Sequence, residues 1–543
     1  MNHRPSVPAS NSRIINGTAL GFSILFLLAS LAAACFVGEW GHVFLDWRRI
    51  MISPCPLVTD YLAIGGLSSA FLNAGACGLA CFFFMVLLKG DSHANTLAGY
   101  FLVVAHCFYG LNFLNMWPCF LAPFLYMKRK GLDFKENLHI CMFATSFAPF
   151  ISEFLFRYTL GDDFVYGQVR LTVSGVVLAI LFSILLAFVL PAILPGARAW
   201  HKGYNLYNGG LAFGIFGFFV FNFMYRTMGI EPPQALTADN VIYDYFNRSY
   251  RSFATLFFLA AFSLCTIAGY ILNGRSFKGF RHLVTDTGYS SNFAEKYGMP
   301  LCLINIGCYG FLFLLYIHLI THFTEGAGFT GPTIGVTVAA LTFSAMGQHP
   351  RNVWPILAGY LLLYLVTLVL CRMDGREIAW TISTQGYING VAFATGLCPI
   401  VGRYGIRALI DLAVNSTNGH VSLVNIANRN QISVHYLEHV FSSLKRGGIV
   451  KSVKGAQGGY VLADKPENIT VAQMILALEG SYSIEPESVN EDALCETVSK
   501  VMDTLLWDRV NEETKRILES ITLADLVNEF VREYETEQNM YYI

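Results

Sequence analysis

The sequence predicts a mainly α-helical protein in two parts. The first is a polytopic helical membrane domain with an internal repeat. The second is a C-terminal winged helix-turn-helix domain with a long dimerisation helix. Three observations carry this. The 543 residues are 54% hydrophobic and 13% charged, with a mean hydropathy of +0.48, too apolar for an ordinary soluble chain. Apolar runs fill the chain up to residue 401, and short motifs from the early runs return, in order, in the late ones. From Gln431 to Ala463 the pattern changes to a short amphipathic helix followed by a basic, glycine-rich hairpin.

Eleven apolar runs lie near residues 17–37, 62–88, 97–126, 138–158, 170–194, 208–226, 252–273, 300–320, 331–346, 354–371 and 387–401. Their length marks them as membrane helices. Arg4 and Arg13 precede the first run, and Leu31-Ala32-Ala33-Ala34-Cys35 resembles a lipoprotein cleavage box. Because more membrane runs follow, a retained first span is expected. The basic clusters Lys128-Arg129-Lys130 and Arg275, Lys278, Arg281 should face the cytoplasm. Alternating the runs backwards from residue 402 puts both clusters on the side of the C-terminal module, a multi-pass arrangement in a bacterial cytoplasmic membrane.

The membrane part, residues 1–401, is duplicated over approximately 57–158 and 283–401. Leu57-Val58-Thr59-Asp60 returns as Leu283-Val284-Thr285-Asp286, and Asn73-x-Gly75-x-x-Gly78 as Asn305-x-Gly307-x-x-Gly310. Asn115-x-Trp117-Pro118 returns as Asn352-x-Trp354-Pro355, and Phe143-x-Thr145 as Phe393-x-Thr395. Repeats of this kind are a transporter and channel architecture. Proline in the repeated Asn-x-Trp-Pro removes a backbone donor and breaks the helix, which lipid tolerates only inside protein or beside a wet cavity. Asn73, Asn305, Asn115, Trp117, Asn352 and Trp354 are therefore candidates for solute contacts or for helix packing. Glu153 is a candidate proton or ion site, or a partner for Arg157. Whether the repeats are parallel or inverted turns on whether 97–126 is one bent span or two short ones.

The 13 cysteines are scattered and sit mostly in apolar runs, with no disulfide framework or zinc pattern. No phosphate loop, zinc motif or nucleophile elbow occurs, so no enzyme is expected.

The second part begins at Gly402 without a linker. Residues 402–480 form the winged-helix module, and 481–543 a sensor-loop remnant, a dimer helix and an acidic tail. Ser433 stands where a hydroxyl caps a helix, and Val434, Leu437, Val440, Phe441 and Leu444 lie on one helical face. Gly447 and Gly448 stop that helix. Ile449–Val453 and Tyr460–Leu462 form two strands around Lys454-Gly455-Ala456-Gln457-Gly458-Gly459. Such a helix fits a DNA major groove, and such a tip enters the neighbouring minor groove. Charge agrees: residues 403–465 carry eight Lys/Arg and three Asp/Glu, whereas 466–543 carry five and seventeen. A basic module binds double-stranded DNA; an acidic helical tail suits dimer contacts or a partner protein.

The stretches GRYGIRALIDLA, SLVNIANRNQISVHYLEHVFSSLKRGGIVKSVKGAQGGYVLA and ITVAQMILALEG, with the closing ILESITLADLV, resemble the Rrf-two family of winged-helix transcription regulators, which has IscR, NsrR and CymR types. The resemblance covers about residues 402–529. It implies dimeric, sequence-specific DNA binding, often gated by an iron–sulfur cluster on three cysteines. It places base contacts on His435, Tyr436, Glu438 and His439, and the minor-groove residue on Lys454, with Gly455 and Gln457 in the same tip. Lys445, Arg446 and Lys451 are read as phosphate contacts or as plain surface charge. Of the cluster cysteines only Cys495 is present, and one thiolate does not hold a cluster. No cofactor is therefore expected, and Cys495 is a candidate redox thiol or an inert one. Val501–Ile521 matches the family's long dimer helix, which implies a homodimer. The membrane part resembles an uncharacterised family of bacterial polytopic membrane proteins. The expectation is a membrane-tethered, repressor-like DNA-binding regulator; the alternative is a transporter or channel whose winged helix regulates or docks.

Overall fold

A backbone in lipid must satisfy its polar groups within itself, and helix is the simplest way to do so. In the computed structural model, every regular element among the described residues before Gly402 is helical. The structure describes residues 9–55, 59–87, 92–134, 137–157, 171–201, 208–227, 241–286, 292–323, 329–373, 385–397, 403–416, 419–430, 434–453, 458–479 and 508–540, with positions 206, 288 and 375. Two compact units result, Pro5–Pro399 and Ile400–Ile543, the latter grouped with the first four residues.

The first unit contains α1 (Ala9–Val37), α2 (Val43–Met51), α3 (Tyr61–Leu87), α4 (Ala94–His106), α5 (Met116–Lys130), α6 (Leu138–Ala144) and α7 (Ala148–Phe156). It continues with α8 (Val173–His201), α9 (Asn208–Asn222), α10 (Val241–Leu272), α11 (Phe280–Leu283), α12 (Phe293–Lys296), α13 (Met299–Phe323), α14 (Gly331–Ala340), α15 (Pro350–Met373) and α16 (Gln385–Ala394). Among the described residues seven helices are long and apolar enough to cross a membrane. That makes this a multi-pass membrane protein. Four of the eleven apolar runs, however, are not full-length spans. Run 97–126 is two helices, 208–226 and 331–346 are short, and within 387–401 helix is described only to Ala394, followed by a 3-10 turn.

The broken run is a helical hairpin. α4 climbs back along α3, with Tyr100 and Val104 beside Gly78. At Asn73, halfway along α3, the climb stops. The Asn73 amide donates to the carbonyls of Cys107 and Leu111, at 2.9 and 2.8 Å. The chain then turns and α5 descends, bringing Trp117 and Phe120 to 6.1 and 5.1 Å from the Phe84 ring. Asn115 clamps the tip: its Oδ1 accepts from the Asn112 N–H at 2.8 Å, and its amide donates to Gly110 O and Ser152 Oγ.

The second repeat builds the same tip. Asn305 of α13 donates to the carbonyls of Ser344 and Gln348, at 2.8 and 2.6 Å. Asn352 accepts from the His349 N–H and donates to Gly347 O, each at 2.9 Å. The two hairpins meet through α4 and α14. Gly331 lies against the Phe108 carbonyl and Gly335 against that of Ala105; a Cβ at either would come within 2.5 Å of it. Residue number rises on one helix as it falls on the other, so equivalent helices are antiparallel. The preceding pair agrees, since Phe36 and Phe26 of α1 face Phe253 and Phe257 of α10. This is the arrangement of an inverted repeat, and α1 packs on α3 as α10 packs on α13.

The second unit has its own core. α17 (Arg403–Asn415), α18 (Leu423–Asn430), α19 (Val434–Arg446) and α20 (Val471–Glu479) surround Leu409, Leu412, Ile426, Leu437, Phe441, Leu444 and Met474. Strands β1 (Val450–Val453) and β2 (Gly459–Leu462) form an antiparallel pair. Two more helices follow, α21 (Asp508–Ser520) and α22 (Leu523–Met540). The helix expected over Val501–Ile521 thus ends at Ser520, and its residues 501–507 lie outside the described residues. Thr522 and Asp525 stop it by capping the next helix. Thr522 donates from its N–H and its hydroxyl to Asp525 Oδ2, while Asp525 N–H donates back to Thr522 Oγ1. Bonds from Val471 N–H to Ile521 O and from Leu523 N–H to Ile469 O, both 2.8 Å, hold the turn on the core.

Candidate nucleic-acid interface

α19 is helical because its apolar residues recur on one face. Leu437, Val440, Phe441 and Leu444 are buried, and Glu438, Lys445 and Arg446 are exposed. It ends where Gly448 turns at φ 77°, a conformation costly for any residue with a Cβ. α18 is capped by Ser422, whose Oγ accepts from the Asn425 N–H at 3.2 Å. An ion pair joins it to α17: Arg429 forks onto both Asp411 oxygens, the shortest contact 2.6 Å, and the Asn430 amide adds a further bond at 2.9 Å. The bonded carboxylate pushes the Arg429 guanidinium above its ordinary value. Sequence reasoning missed this anchor, although the Asp–Arg spacing of eighteen residues has no local signature that could have revealed it.

The wing is fixed at three points. Val421 and Tyr460 exchange main-chain hydrogen bonds of 2.9 Å in both directions, adding a bridge beside β2. The Phe441 and Tyr460 rings lie 4.8 Å apart. Lys445 donates to Ser452 Oγ at 2.6 Å, linking the end of α19 to β1. Gly459 lets the strand come this close, since a Cβ there would lie 2.4 Å from the Val421 carbonyl. Lys451 donates to Ala463 O at 3.1 Å and remains exposed. At the wing's base, the Lys465 N–H and the Asn468 amide hold the Asp464 carboxyl below the usual range.

The structure therefore brings Glu438, Lys445, Arg446 and Lys451 onto one helix-and-wing unit. His435, Tyr436 and His439 belong to α19, but their side chains lie outside the described residues, as do Ser433, Lys454, Gly455, Gln457 and Cys495. Among the described residues no group of three or more His, Cys, Asp or Glu is placed to hold a metal.

The membrane-side candidates sit elsewhere, in the first unit. Asn73, Asn305 and Asn115 are fully buried; the first two spend their amides on main-chain carbonyls, and Asn115 donates to Gly110 O and Ser152 Oγ. Trp117 packs among Phe84, Phe113 and Phe120. Asn352 clamps the second tip, and Trp354 is half-buried on α15. Glu153 does not reach solvent. It is buried, 3.4 Å from Arg157, and accepts from the Tyr225 hydroxyl at 3.0 Å.

Residues 40–226 and 272–427 match the sequence profile of DUF1576, a protein of unknown function, and residues 401–529 match that of Rrf2 (Rrf-two), described as an iron-dependent transcriptional regulator. The HTH-type transcriptional regulator CymR of Bacillus subtilis (strain 168) is 42% identical over 142 residues, which span 26% of this chain and 96% of CymR. The chain belongs to the DUF1576 family and carries an Rrf2 regulator domain at its C-terminal end.

IscR of Klebsiella pneumoniae (strain 342) is 37% identical to the Rrf2 domain over 127 residues, covering 23% of this chain and 77% of IscR. The solved structure of CymR (YrzC), the global cysteine regulator of B. subtilis, is 41% identical, covers 24% of this chain and 94% of its own, and has a TM-score of 0.21. The iron of the family description finds poor support in this Rrf2 domain. Residues 402–543 contain a single cysteine, Cys495, whereas a cluster takes four ligands.

Proposed function

We propose that this DUF1576–Rrf2 protein is a membrane-tethered, dimeric, repressor-like DNA-binding regulator that works without an iron–sulfur cluster. The observation that carries the reading is the 42% identity along 96% of CymR, joined to a helix-and-wing unit with exposed Lys445, Arg446 and Lys451. α19 enters the major groove, with His435, Tyr436, Glu438 and His439 at base edges and Ser433 at its start. The tip with Lys454, Gly455 and Gln457 enters the minor groove. The basic residues meet phosphates. Dimer contact uses α21, where Ile517 is apolar yet 54% exposed, and the acidic residues after it offer a surface to a partner protein. The basic clusters at Lys128–Lys130 and Arg275–Arg281 support a cytoplasmic Rrf2 domain at a bacterial membrane. Cys495 is available as a redox thiol.

The test is retention of a duplex from the protein's own promoter, by the full chain in detergent and by residues 402–543. Binding that falls steeply with salt is expected; failure of both forms to bind any sequence in a random-duplex selection overturns the reading.

A specific observation favours a second reading, a transporter or channel whose winged helix regulates or docks. The two broken hairpins of an inverted repeat meet beside a cavity of about 290 Å³, lined by Asn95, His106, His139 and Thr342 among apolar residues. Broken helices at a repeat interface are where such proteins hold solutes. Solute flux in vesicles, with no DNA retention, is the result that selects it.

A further inference from the structure

The two hairpin tips are built to one plan and differ in one respect. With an offset of 237 residues, Cys107 matches Ser344, Gly110 matches Gly347, Leu111 matches Gln348, Asn115 matches Asn352 and Trp117 matches Trp354. On that register Phe113 matches Pro350. In the first repeat the amide oxygen of Asn73 accepts from the Phe113 N–H at 3.2 Å and from the Trp47 indole N–H at 3.3 Å. Proline has no N–H to give. The corresponding Oδ1 of Asn305 is fully buried and makes no hydrogen bond among the described residues.

The other replacements add oxygen where the first repeat has none. Cys107 becomes Ser344 and Leu111 becomes Gln348, both fully buried. Ser344 Oγ and Gln348 Oε1 are also without a hydrogen bond among the described residues. The three residues are neighbours, since the Asn305 amide donates to the main-chain carbonyls of both Ser344 and Gln348. The Thr395 hydroxyl donates to Ala392 O at 2.6 Å and so accepts from the Gln348 amide at 2.7 Å, which fixes which end of that side chain is its oxygen. One main-chain donor has been deleted, and a hydroxyl and an amide oxygen added, in the segment that holds a buried amide oxygen. Buried oxygens in such a group call for a ligand that needs only acceptors. A cation is that ligand.

We propose that the second hairpin tip binds a monovalent alkali cation through Asn305 Oδ1, Ser344 Oγ and Gln348 Oε1. All three donors are neutral, and the nearby carboxylate of Asp286 is engaged by Lys296 and Tyr297. A divalent ion, which draws on anionic oxygens, is poorly matched to this set. Thr342, Phe343 and Met346 of the same segment line the 290 Å³ cavity, so the ion sits beside the space open to a solute. The inference concerns the DUF1576 part alone and does not depend on DNA binding.

The test uses the full chain in detergent, melted in sodium, potassium or choline chloride at one ionic strength. Sodium or potassium should raise the melting temperature above that in choline, saturably. Ser344→Ala and Gln348→Leu should each raise the half-saturating concentration by about tenfold or more. Pro350→Ala restores the N–H at a helix start that tolerates it; it should melt in choline at or above the parent and lose the cation response. Equal melting in all three salts, as when water alone fills the site, overturns the proposal. So does an undiminished response in both Ser344→Ala and Pro350→Ala. DNA retention should be the same in every variant, which separates this failure from failure of the regulatory reading.

Discussion

Phe441 and Tyr460 stand ring to ring at 4.8 Å, joining the buried face of the recognition helix to the returning strand of the wing. Phe441 is fully buried, so Phe441→Ala opens a cavity worth about 3–5 kcal/mol. Tyr460→Phe keeps the ring and should stay within about 0.5 kcal/mol of the parent. Denaturant unfolding of residues 402–543 measures both. DNA retention should disappear in the first variant and persist in the second.

Lys445 and Lys451 are tied by their ammonium groups to Ser452 and Ala463, which presents them from the base of the wing rather than from a loose surface. Removing Lys445, Arg446 or Lys451 should weaken binding evenly across sequences and reduce the slope of log affinity against log salt by about 1 each. Glu438→Ala should behave differently. Losing an acceptor at a base edge shifts preference by about 1–3 kcal/mol at one position and leaves the salt slope unchanged. Titrations at several salt concentrations separate the two classes.

The Asp525 carboxyl is held below the ordinary aspartate range, first by the Thr522 N–H and then by its hydroxyl. The unfolded carboxyl titrates near 3.9. The stabilisation is therefore complete above about pH 4 and is lost as pH falls through the lower folded value. Asp525→Ala removes it at every pH. Melting temperatures of residues 402–543 between pH 6 and pH 3 should fall less steeply for the variant, the two curves converging at the acid end.

α19 and the wing were legible because helix periodicity, a glycine stop and alternating strands are all local signals. The repeat was legible as repeated words, Asn-x-Trp-Pro above all. That 97–126 could be two short spans was also open to the sequence, but the point of reversal was not, because a broken helix and a straight one have the same apolar content; the bonds from Asn73 to Cys107 and Leu111 mark it. The inverted orientation rests on Gly331 meeting Phe108, a contact between segments more than two hundred residues apart. The end of α21 was legible to within one residue, since Val501–Ile521 was expected and the helix stops at Ser520, just before the capping sequence Thr522-x-x-Asp525.

Asn73 and Asn305 were candidates for solute contacts or for packing, and one substitution distinguishes the roles. Each amide holds two buried carbonyls at a hairpin tip, so truncation leaves both without a donor. An unsatisfied buried group costs about 1–3 kcal/mol. Asn73→Ala should therefore lower the melting temperature of the full chain in detergent, and Asn305→Ala should lower it comparably in choline. Asn73→Asp replaces the donating amide by a carboxylate facing two carbonyls and should be worse than alanine. A solute ligand would behave in the opposite way: substitution would leave the empty protein as stable as before and abolish flux alone. Thermal melting of the three variants, followed by flux in vesicles, decides between the two roles, and a parent-like melting curve for Asn73→Ala rules out the packing one.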